Sequence, residues 1–112
     1  MLASALLLFT LAILLGVYLL SFILQDKPTP KKIVFIHGPL ATIALVILII
    51  YAFFHNPTPL ISIILFVLAA LGGLMLIYRD LTGKSLPKWM AIGHGATATL
   101  GYIFLIYFMF FK

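Results

Sequence analysis

The sequence predicts an all-α membrane protein, a four-transmembrane-helix up-down-up-down bundle built from a tandem duplication of a helical hairpin. Three observations predict it. Of 112 residues, 65% are apolar and 8% charged, whereas a soluble domain is typically about a quarter charged. Four apolar runs, at roughly 3–24, 33–54, 60–78 and 89–111, take up nearly the whole chain, and each is close to the ~20 residues that cross a bilayer as a helix. The second half also repeats the first at a fixed offset.

The first run has no basic start, is too long for a signal-peptide core, and has no small-residue cleavage pattern before Asp26. It is therefore read as a span. Gln25-Asp26-Lys27-Pro28-Thr29-Pro30-Lys31-Lys32 ends it, and the second run follows. Pro39 lies inside that run and, lacking a backbone donor, is expected to kink it. His55-Asn56-Pro57-Thr58-Pro59 closes the second run, and residues 79–88, with Gly83, Ser85 and Pro87, separate the third from the fourth. Proline and glycine cluster in these connections because a helix must stop and turn there. Short connections make neighbouring helices antiparallel. The chain 1–112 is read as one transmembrane domain.

Lysine and arginine set the orientation. Lys27, Lys31, Lys32, Arg79, Lys84 and Lys88 all lie in the first and third connections; the second connection has none, and the far end has only Lys112. The positive-inside rule puts the basic connections in the cytoplasm and both termini outside. The implied location is the inner, or plasma, membrane.

An offset of 57 residues brings the halves into register without a gap, giving repeats 1–57 and 58–112. Apolar matches alone mean little between membrane helices. The informative matches are polar or special: Gly16 with Gly73, Lys27 with Lys84, Pro30 with Pro87, Lys31 with Lys88, His37 with His94, Gly38 with Gly95, Ala41 with Ala98 and Thr42 with Thr99. Each unit has two spans, so both copies insert the same way up, related by an axis along the membrane normal. In a ring ordered one-two-three-four, helices two and four are then diagonal.

The residue inventory excludes much chemistry. There is no cysteine and no glutamate, so disulfides, thiolate zinc sites and iron–sulfur ligation are out. The only acids, Asp26 and Asp80, adjoin basic residues in polar stretches. His37 and His94 remain, each six residues after a matched lysine, or about 9 Å along a helix. An ionisable group at that depth is a functional-site candidate. Gly38, Ala41 and Ala44 follow the first histidine and Gly95, Ala98 and Gly101 the second, a stripe of small side chains that leaves a slot between helices two and four. Two imidazoles without an acid or a cysteine fall short of a zinc site but suffice as axial ligands of haem iron. Lys27, Lys31, Lys84 and Lys88 stand where haem propionates would meet the basic surface.

At these residues the chain resembles the membrane-embedded b-type cytochromes, which hold haem between histidines on different helices of a four-helix bundle. The paired His-Gly-x-x-Ala-Thr segments, the Gly16/Gly73 pair and the basic edge carry the resemblance. It implies one haem b with its iron between His37 and His94. It also implies electron transfer with a quinone or quinol in the bilayer or with a redox partner protein, as a quinone-linked oxidoreductase or an electron-transfer subunit. Gly16 and Gly73 either make room for a porphyrin edge or simply pack helices.

Other functions are weighed against this one. Small multidrug transporters have four spans in about this length but rely on a membrane-embedded glutamate, which is absent here. A structural or haem-handling subunit is the third reading. Nucleic acid is not an expected partner, because the basic loops are short and lie against a membrane. Homo-oligomerisation is compatible with the sequence. His55, whose repeat partner is Lys112, is expected to be interfacial. Tyr51, Tyr78, Trp89 and Tyr107 are expected to form aromatic belts, Met90 to pack in the core, and Thr42 and Thr99 to bond back to their own helices.

Overall fold

The computed structural model describes residues 1–111, which form four long helices packed side by side. They are α1 (Leu2–Leu24), α2 (Lys31–Phe54), α3 (Leu60–Leu81) and α4 (Lys88–Phe111). All four are long and apolar enough to cross a membrane. The bundle measures 43 × 21 × 19 Å. Lys112, expected at the far end, lies outside the described residues.

The helices begin and end by local rules that recur between the halves. α1 stops at a left-handed residue, Asp26 (φ 57°), and α3 at Gly83 (φ 75°). At both ends the next amide reaches back five residues: Lys27 N–H donates to the Phe22 carbonyl and Lys84 N–H to that of Arg79, each at 2.9 Å. Asp26 N–H also donates to Ile23 and Gly83 N–H to Asp80. Both ends are thus Schellman motifs, which satisfy carbonyls that a helix terminus leaves open. Glycine adopts the left-handed conformation without strain and aspartate is among the few others that tolerate it. α2 and α4 start directly after Pro30 and Pro87, whose carbonyls accept from the Val34 and Ala91 amides.

Two boundaries differ from the apolar runs by more than one residue. α3 continues beyond residue 78 to take in Arg79 and Asp80, and α2 starts at Lys31. Hydropathy marks where hydrocarbon ends, whereas the helix runs on until a cap stops it. α2 also remains one helix through Pro39.

α1 packs most extensively on α2, and α3 on α4, giving a hairpin-like arrangement in each half. α1 also packs on α4 and α2 on α3, while among the described residues the backbones of the diagonal pairs, α1 with α3 and α2 with α4, stay apart and meet only through side chains. The ring order is therefore one-two-three-four. The core lies towards the α1 N-terminus, where Ala5, Phe9, Ala44, Leu48, Phe66 and Leu105 are buried. Phe9 and Phe66, equivalent by the 57-residue offset, stack with ring centroids 3.8 Å apart and planes at 5°. Thr10 donates to the Leu6 carbonyl, and its hydroxyl pairs at 2.5 Å with that of Tyr102, joining α1 to α4.

The outer surface is apolar. Leu7, Leu14, Val17, Phe53, Leu74 and Ile103 are among many large side chains turned outwards. Such a surface is unsuited to water and fits a bilayer, where a spanning helix satisfies its own backbone and presents hydrocarbon to lipid. Tyr78, Trp89 and Tyr107 are exposed, as aromatic belts require, but Tyr51 is buried and stacks on His55 at 4.2 Å.

Candidate functional site at a histidine pair

His37 and His94 lie early in α2 and α4. Each ring reaches across to the other helix of its own half. His37 Nδ1–H donates to the Ala12 carbonyl at 2.8 Å, and His94 Nδ1–H to the Ala69 carbonyl at 2.6 Å. Acceptors and donors are all related by the same 57-residue offset. Ala12 and Ala69 also correspond by that offset, but nothing in an alanine side chain announces that its carbonyl is an acceptor.

Glycine makes this contact possible. A Cβ added at Gly16 would stand 3.1 Å from His37 Cε1, and one at Gly73 would stand 3.0 Å from His94 Cε1. The imidazoles therefore lie in notches cut by the two glycines. Gly38 and Gly95 have no such role: an added Cβ there meets nothing within 4 Å. Ala41 and Ala98 are half-buried, and Ala44 and Gly101 are buried. Across the bundle the two imidazoles face each other with centroids 6.4 Å apart and planes at 89°. Both rings are half-buried. Thr42 and Thr99 bond back to the carbonyls of Gly38 and Gly95, as expected.

The expectation of haem b is corrected, and with it the reading of His37 and His94 as the metal ligands of a bis-histidine b-type cytochrome. Among the described residues, no group of three or more His, Cys, Asp or Glu side chains could hold a metal ion. Of the four lysines assigned to haem propionates, Lys31 and Lys88 are paired with protein carboxylates. Lys31 Nζ lies 2.8 Å from Asp80 and also donates to Thr29. Lys88 Nζ lies 3.3 Å from Asp26, and Lys84 Nζ stands 5.2 Å from the centre of the Tyr78 ring. Gly16 and Gly73 are occupied by imidazole edges rather than left open for a porphyrin. Two grooves lie away from the histidines, beside the α2–α3 connection; the larger, about 370 Å³, is lined by Thr58, Ser62, Phe104 and Phe108 among others.

Asp80, beside Arg79 in a polar stretch, carries no sequence signal of a tertiary role. Its carboxylate accepts from both Thr29, at 2.6 Å, and Lys31, so it ties the first connection to the end of α3. Buried Thr29 likewise has no sequence signal, since Leu86 replaces it in the other half.

The class of protein defined by fold and composition is a small four-helix integral-membrane bundle. The chain matches no protein-family model, no curated protein and no solved structure.

Proposed function

We propose that this chain is a tandemly duplicated helical hairpin in up-down-up-down order that binds the hydroxyl of a lipid-soluble molecule of the quinol class at His37 and His94. The observation that carries this reading is the pair of Nδ1–H bonds to the Ala12 and Ala69 carbonyls. A carbonyl only accepts, so each Nδ1 bears the proton and each Nε2 of the neutral ring is an acceptor. Among the described residues nothing donates to either Nε2. Two acceptors on facing rings call for a donor from outside the chain.

Distance excludes a direct bond between the two rings. With centroids 6.4 Å apart and ring nitrogens about 1.2 Å from each centroid, no nitrogen of one ring stands closer than about 4 Å to a nitrogen of the other, beyond a direct bond of roughly 2.7–3.2 Å. A hydroxyl carries one proton and so donates to one Nε2 at a time. The route favours a lipid-soluble ligand. On one side of the pair the Phe9–Phe66 stack fills the centre of the bundle, and on the other Leu19, Val34 and Ala91 are buried. A phenolic hydroxyl is a stronger donor than an aliphatic one and suits an imidazole acceptor, which favours quinols among bilayer alcohols. The excess of lysine in the first and third connections supports a cytoplasmic placement for that edge and an outside placement for both termini.

The test is histidine ¹⁵N NMR of the protein in lipid nanodiscs, titrated with a short-chain quinol. Both Nε2 resonances are expected to start as unprotonated acceptors and to shift with the quinol but not with its dimethyl ether. The response should vanish in His37→Ala and His94→Ala. An absent shift with the quinol, or an equal shift with the ether, refutes the reading and leaves the pair as an interhelical clasp.

A further inference from the structure

The ion pairing divides the basic edge into two sets of cations. Lys31 is paired with Asp80 and Lys88 with Asp26. These are the only acids in the sequence. Among the described residues, Lys27, Lys32, Arg79 and Lys84 have no carboxylate partner. Lys27, Lys32 and Lys84 are exposed. Arg79 donates through Nε to the Ser85 carbonyl at 2.8 Å, which leaves its two terminal amino groups free of that bond.

Lys27 and Lys84 are held in equivalent places. Each follows the left-handed residue of a Schellman turn, with its own amide fixed to a helix carbonyl at 2.9 Å. Exposed Tyr78 and Trp89 lie at the same edge, the residue types that settle among lipid headgroups. Uncompensated cations on short, anchored turns at the hydrocarbon boundary complement a phosphodiester carrying net negative charge. We infer that this edge binds anionic phospholipid headgroups, with Lys27 and Lys84 as the principal contacts. The inference is independent of what the histidines bind.

Native mass spectrometry of the protein, exchanged into mixed phosphatidylglycerol and phosphatidylcholine, tests it. The wild type should retain phosphatidylglycerol preferentially, and the preference should fall about fivefold for each of Lys27→Gln and Lys84→Gln. Asp26→Asn, which releases Lys88 from its pair, should raise it. Equal retention of the two lipids by the wild type, or an unchanged preference in the Lys27→Gln/Lys84→Gln double variant, overturns the inference. Displacement of phosphatidylglycerol by millimolar inorganic phosphate would assign the cations to a soluble anion and overturn the lipid assignment.

Discussion

Gly16 and Gly73 show how a single hydrogen atom in place of a methyl group positions an imidazole. The Cε1 edges lie where a Cβ would stand, at 3.1 and 3.0 Å. Both distances are tighter than ordinary contact, so an alanine there forces the ring or the helix to give way. Gly16→Ala and Gly73→Ala should each destabilise the bundle by about 1–3 kcal/mol, the usual range for overpacking, despite alanine's higher helix propensity. Reversible unfolding in mixed micelles measures this; a gain in stability in both variants would show that the notches are loose. The histidines were legible in the sequence because an ionisable residue is rare in a span and these two recur in register. Their role was not. The sequence could count possible ligands, but it could not reveal that Nδ1 is spent on a backbone carbonyl or that the matched lysines face Asp80 and Asp26.

Helix ends carry the clearest local information. Asp26 and Gly83 occupy the same place in each half and the same left-handed region. Gly83→Ala puts a Cβ into that conformation and should cost about 1–2 kcal/mol, read from the same unfolding measurement. The same substitution at Gly38, where an added Cβ meets nothing within 4 Å, is the control and should not destabilise. The element boundaries missed by sequence follow from the same physics: α3 continues through Arg79 and Asp80 because charge does not stop a helix, whereas the Schellman turn does. Thr42 and Thr99 were read correctly as bonding to their own helices, since a threonine hydroxyl in a span has the carbonyl four residues earlier within reach.

Across the whole molecule, polar contacts between the halves are few and unequal. Asp80, 14% exposed, accepts from buried Thr29 and from Lys31, while Asp26 is 80% exposed and pairs only with Lys88. Solvent screens an exposed pair almost completely, but a partly buried carboxylate that satisfies a buried hydroxyl is costly to remove. Asp80→Asn should therefore destabilise by about 1–3 kcal/mol, with little change for Asp26→Asn. Equal effects of the two substitutions in mixed-micelle unfolding would contradict this account. The Thr10–Tyr102 bridge adds a second asymmetry: Val67 and Leu45 stand at the equivalent places, so the contact joining α1 to α4 has no counterpart between α3 and α2.

The sequence by itself determined the four spans, their approximate limits, the 57-residue correspondence and the basic edge. Each depends on composition or periodicity along the chain, and the bilayer enforces both, since a span must be long, apolar and helical wherever it packs. The tertiary structure decided what the special residues do. It set the imidazoles against Gly16 and Gly73, gave their protons to Ala12 and Ala69, paired both acids with lysines and drew Tyr51 inside. Those outcomes depend on which backbone carbonyl and which side chain arrive within about 3 Å of each other when helices pack. That proximity joins residues far apart in the chain, and residue spacing alone does not specify it.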